Sequence, residues 1–131
     1  MPDDLIQLGP HQTLRVVSSD ATGLELEAEW APGSSEPIAH LHPSQDEHFE
    51  VLDGELTVIV GDEERRTLTA CEAIDIPRGT VHRMWNAADA PARAAWRVTP
   101  ALRTEEMFRT IAAGGVPDFL ERFSAEFRLA P

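Results

Sequence analysis

The chain has 131 residues, the size of one domain built on one hydrophobic core. Its 23 acids against 11 bases leave a formal net charge of −12, which repels phosphate backbones and anionic lipid and argues against nucleic-acid or membrane partners. No apolar run approaches the ~18 residues of a membrane span. The start, Met1-Pro2-Asp3-Asp4, is acidic where a secretion signal is basic. The expected compartment is the cytoplasm. The lone Cys71 suits a reducing environment and is expected to be a small core residue. All eleven bases are Arg, and with no Tyr in the chain a phenol is excluded as a catalytic acid.

Strand signals run from Thr13 to Thr99. Leu14 to Val17 comes first, and then Leu24, Leu26, Ala28 and Trp30 alternate with Glu25, Glu27 and Glu29, the period-2 pattern of a half-buried strand. Further strand-like runs are His48 to Leu52, Leu56 to Val60, Arg66 to Leu68, Ala73 to Ile76, Val81 to Trp85 and Arg93 to Thr99. Turn chemistry separates them: Pro32-Gly33-Ser34-Ser35, Asp53-Gly54, Gly61-Asp62, Pro77-Arg78-Gly79 and Asn86 to Pro91. Many short strands at close spacing predict a sandwich or barrel.

After Pro100 the period changes. Met107, Phe108 and Ile111 recur at helical spacing, with Thr104 as the expected N-cap and Gly114-Gly115 as the stop. A second helix is expected from about Pro117, with Phe119, Leu120, Phe123 and Phe127 on one stripe. Both helices are expected to pack on the barrel exterior or on a partner chain.

The chemistry-bearing residues lie between the early and late strands. His40 and His42, two apart on an extended segment, point to one face and can present two imidazoles to one metal ion. Glu47 returns a carboxylate after a short polar turn, and His82 completes the set from a later strand. Three imidazoles and a carboxylate suit one divalent Fe, Mn, Ni, Co or Zn ion, with positions left open for water or substrate. His48 should face away from this cluster, and His11 has no partner in view.

His40-Leu41-His42, four residues, Glu47, six residues and Gly54 resemble the first cupin motif. Pro77-Arg78-Gly79, two residues, His82, three residues and Asn86 resemble the second. Two turn positions depart from the pattern. The upstream Gly33 is displaced by one residue, and Cys71-Glu72 stands where Gly-Asp is common.

The resemblance implies an all-β double-stranded β-helix, a jelly-roll cupin barrel. It would span about residues 13–100 of a single domain 1–131, with two short C-terminal α-helices over about 101–131. Alternation from the ligands places Phe49 and Val51 inward beside Glu47, Met84 and Asn86 beside His82, and Trp96 between Ala94 and Val98. With Gln45 in the turn, these are the candidate pocket residues, whereas Trp85 is expected to face outward. The resemblance also implies a metal-dependent enzyme acting on a small organic molecule. Dioxygenase-type chemistry is the first expectation, with isomerase, cyclase or ligand-binding roles as alternatives and Glu47 as a candidate base. A homodimer is expected, to cover Trp85, the aromatic stripe and the exposed barrel edges.

Overall fold

The computed structural model describes residues 4–131; of the acidic start, Met1 to Asp3 lie outside the described residues. Ten strands precede the first helix, in chain order β1 (Leu5–Leu8), β2 (Gln12–Asp20), β3 (Gly23–Trp30), β4 (His40–Leu41), β5 (Asp46–Asp53), β6 (Glu55–Val60), β7 (Arg66–Thr69), β8 (Ala73–Ile76), β9 (His82–Trp85) and β10 (Ala92–Thr99). Helices α1 (Thr104–Ala112) and α2 (Phe119–Arg122) and a short strand β11 (Arg128–Leu129) complete the chain.

The strands form two antiparallel sheets, one in the order β1-β2-β3-β10-β5-β8 and the other β11-β4-β9-β6-β7. This is the jelly-roll arrangement. The alternation read from β3, β5 and β10 is the observed burial: Leu24, Leu26, Ala28, Phe49, Val51, Ala94 and Val98 are buried, while Glu50 and Arg93 are exposed. The inward residues of both sheets make one core, which Leu14, Leu56, Val58 and Ile76 also join.

Gly54, at the β5–β6 turn, shows why a motif glycine sits there. Its φ is +76°, and a Cβ would stand 2.3 Å from the Pro91 carbonyl oxygen. Asn86 has an equally structural role. Its side-chain amide donates to the Trp30, Ala31 and Ala90 carbonyls and accepts from the Ala88 N–H, knitting two loops together.

Several expectations are corrected. Cys71 is exposed rather than in the core, and it adopts φ +75° in the turn between β7 and β8, where the cupin pattern has glycine. Beside it, Glu72 closes the turn by accepting from the Thr69 N–H and hydroxyl. Thr104 is the first helical residue, not the cap; it is buried, and its hydroxyl contacts the Gln45 amide nitrogen at 2.7 Å.

The second helix is a single turn. Phe127 lies beyond it, and Leu120 is 49% exposed while Phe123 is wholly buried, so the stripe does not act as one face. Trp85 lies outside the main core cluster as expected, yet it is only 4% exposed, with Arg65 over its ring at 5.2 Å.

The segment after Pro100 does not simply pad the barrel wall. Met107, Phe108 and Phe123 enter the core, and β11 pairs with β4 as the edge of the second sheet. Burial of Phe123 contributes roughly 1.5–3 kcal/mol to holding this segment down. Among the described residues, no helix is long and apolar enough to cross a membrane.

Candidate metal centre

The two sheets each supply part of the site. His40 on β4 is the direct cross-strand partner of His82 on β9, so sheet pairing alone brings these two imidazoles together. His42 follows just after β4, and the three rings form a close triangle with centroids 4.5 to 5.2 Å apart. Their ligand nitrogens all lie within 4.8 Å of one another.

Glu47 enters from β5 in the opposite sheet. Its Oε1 sits 3.0 Å from Nε2 of both His42 and His82. Asp46 and Arg78 clamp the two motifs together, because the Arg78 N–H and guanidinium both reach the Asp46 carboxylate at the surface.

Each imidazole is held from behind by a backbone carbonyl. Nδ1 of His40 meets Ile38 O at 3.1 Å, that of His42 meets Glu126 O at 2.7 Å, and that of His82 meets Thr80 O at 3.0 Å. A carbonyl only accepts, so Nδ1 carries a hydrogen, and in a neutral ring the lone pair of Nε2 then faces inward. Burial, and then the neighbouring His82, push the His40 pKa down to about 4, favouring that neutral form.

Burial alone would raise the pKa of Glu47, but its contacts with His42 and His82 outweigh this and hold it down to about 2. Burial would likewise lower His42, whereas Glu47 and the Glu126 carbonyl raise it. A buried carboxylate thus faces inward-turned nitrogens. His42 Nε2 and Glu47 Oε1 lie close together, yet neither is in an aligned hydrogen bond among the described residues. At this distance two lone pairs repel unless a proton or a metal ion lies between them. The raised pKa of His42 allows the proton, and three imidazole nitrogens with one carboxylate oxygen are a donor set for a divalent transition metal. The residues fit such an ion.

A cavity of about 200 Å³ opens onto this cluster. Of the pocket residues expected from sequence, Phe49, Met84 and Trp96 line it, while Gln45, Val51 and Asn86 do not. Gln45 is buried with its amide nitrogen on the Pro100 and Ala101 carbonyls and on Thr104, so it fastens the start of α1 instead. Val51 fills the core, and Asn86 serves the loops. His48 is half-exposed on the outside of the barrel, with Nδ1 2.6 Å from Asp75, and His11 is exposed.

The cavity also has walls that sequence reasoning missed: Leu8 and Gln12 from the N-terminal hairpin, Met107, Phe108 and Ile111 from α1, and Phe127. Phe127 stacks on His40 with centroids 5.0 Å apart. The spacing of Phe119, Phe123 and Phe127 was the available signal, but it reads equally well as a helix stripe.

Sheet order and site geometry define a jelly-roll protein whose histidine triad could hold a metal ion. The family model described as a cupin domain, Cupin_2, matches residues 26–98, and the chain belongs to that family. It is 37% identical over 79 residues to the tetracenomycin polyketide synthase protein TcmJ of Streptomyces glaucescens, covering 60% of this chain and 52% of that one. A shorter match, 50% identical over 44 residues, is to the uncharacterized protein YdbB of Bacillus subtilis, covering 34% of this chain and 39% of that one. The aligned segments therefore span about half or less of these relatives. Among solved structures, KdgF from Halomonas sp. superposes with a TM-score of 0.69 at 19% identity, over 78% of this chain and 92% of that chain. At such identity the likeness shows the fold alone.

Proposed function

We infer that this protein is a metal-dependent enzyme whose substrate is a small, largely apolar molecule that offers oxygen atoms to the ion. His40, His42, His82 and Glu47 would hold the ion, and a bound divalent ion would supply a Lewis-acid centre and, for a redox metal, one-electron chemistry. One observation carries the substrate class. Among the described residues, and apart from these four side chains, the only polar side chain lining the cavity that is not already committed elsewhere is Gln12. No Arg among the described residues reaches the wall, so a substrate phosphate or second carboxylate would be buried there without a partner, at a cost of several kcal/mol. Phe49, Met84, Trp96 and Phe108 instead offer flat apolar contact to a ring or an acyl chain.

Dioxygenase-type chemistry is our first reading, because the wall offers no acid–base pair besides Glu47 to move protons for other reaction types. Within such a reaction the chain's own residues would orient the substrate against the aromatic wall, exclude water and keep Glu47 ionised. A second reading, non-redox cyclisation or isomerisation with Glu47 as base, is favoured by the likeness to a polyketide synthase protein.

An oxygen electrode distinguishes the two. Protein loaded with Fe(II) is expected to consume O2 with a β-diketone such as acetylacetone or with a flavonol such as quercetin, at rates well above Fe(II) alone. Conversion of either compound without O2 uptake would favour the second reading. Neither turnover nor binding of any apolar probe would overturn the assignment.

A further inference from the structure

The two oxygens of Glu47 have different neighbours. Oε1 faces the imidazole cluster, 3.0 Å from Nε2 of His42 and of His82. Oε2 accepts the indole N–H of Trp96 at 2.8 Å. Both side chains are buried, Glu47 at 3% and Trp96 at 9% exposure, so water scarcely competes for that oxygen.

The sheet dictates this contact. Trp96 on β10 is the cross-strand partner of Phe49, two residues along β5 from Glu47, so it faces the same interior as the carboxylate. Its ring is stacked on Phe49 at 5.0 Å and leans on Phe108 at 5.3 Å. An indole packed from two sides has little rotamer freedom, and its N–H keeps one direction.

We propose that Trp96 is a positioning residue for the metal centre: by holding Oε2 it leaves Glu47 a single oxygen for the ion and keeps open a coordination position that a two-oxygen carboxylate would fill. Three imidazole nitrogens and one oxygen make four protein donors; the second oxygen would make a fifth. The open position is the one a substrate needs. The same hydrogen bond opposes the swing that would free Glu47 as a base, and so bears on which reaction the site runs. This inference rests on the metal-centre reading above.

The decisive variant is Trp96→Phe in the full chain, which keeps a ring and removes the N–H. The probe is Co(II), with affinity measured by competition against a chelating dye and coordination number followed by the intensity of the visible bands. Wild type is expected to bind about one ion per chain. Trp96→Phe is expected to bind at least ~10-fold more weakly, the usual scale for losing an outer hydrogen bond to a ligand. Its visible bands should weaken as the freed oxygen joins the ion. Trp85→Phe, which loses an indole N–H outside the cavity lining, should match wild type.

A wild type that binds no Co(II) would overturn the metal centre itself. A wild type that binds, with a folded Trp96→Phe protein of equal affinity and spectrum, would overturn this inference alone. Should Trp96→Phe not fold, the indole region of a 15N correlation spectrum of the wild type decides the matter, its three signals assigned through Trp30→Phe and Trp85→Phe. The Trp96 N–H is expected to resist solvent exchange and to shift on adding Zn(II). Free exchange, or no shift, would overturn the proposal.

Discussion

What sets His40, His42 and His82 apart from the other two histidines is the partner of Nδ1. A main-chain carbonyl behind each of the three fixes the tautomer, whereas His48 meets a surface carboxylate. His40→Ala and His82→Ala should each lower metal occupancy sharply, while His48→Ala and His11→Ala should leave it near one ion per chain, as measured by elemental analysis. Equal losses from all four would contradict the site. Cys71 makes a second test at this scale. A non-glycine residue at φ +75° carries a strain of about 1–2 kcal/mol, partly offset by the extra unfolded-state freedom of glycine. Cys71→Gly should therefore raise stability by about 0.5–1 kcal/mol in urea denaturation without altering metal content.

At the scale of elements, the sequence was most legible where period-2 alternation was strong. The runs in β3, β5 and β10 carried their facing with them, and this placed Glu47, Phe49 and Trp96 inside the barrel. The ligand motifs were legible for a related reason, since two histidines two apart and a motif glycine are local features. Contacts between distant segments were not legible. Nothing in the alternation around Gln45 says that its amide will fasten Pro100 and Thr104, and nothing local to Phe127 says that it will stack on His40. Phe119, Phe123 and Phe127, four apart, satisfy a helical pattern, while just beyond them the winning interaction is the pairing of Arg128 and Leu129 with β4.

Two predictions belong to these elements. Met84 is half-buried in the cavity wall, so Met84→Trp should fill part of the roughly 200 Å³ and abolish binding of an apolar probe while metal content stays unchanged. Isothermal titration with that probe checks it. Deleting residues 126–131 removes the carbonyl partner of His42 and the ring on His40. Metal affinity should then fall ~10–100-fold, measured by chelator competition, with the barrel strands still folded by circular dichroism.

For the whole molecule, the question is how many chains associate. Two of the reasons for expecting a homodimer are met within one chain, because Trp85 is already buried and the core takes Phe123. The reasons that stand are the open edges, β1 and β8 in one sheet and β7 and β11 in the other, together with Ile38 and Val17 at 62% and 50% exposure. Light scattering at micromolar concentration is expected to give twice 14.5 kDa; a mass of 14.5 kDa would refute the dimer. The net charge of −12 works against close association of like chains, so the dimer should tighten as salt screens that repulsion.

The bond from His42 to the Glu126 carbonyl also orders events in time. The two residues are 84 apart in the chain. At a synthesis rate of roughly 5–20 residues per second, about 4–17 s pass between the making of the imidazole and the making of its anchor. His82 arrives midway, so every ligand exists before the carbonyl that sets the tautomer of His42. A growing chain therefore passes through a window in which all four candidate ligands are present and the His42 ring is not yet anchored. Anchoring of the His42 ring therefore waits on the docking of the tail.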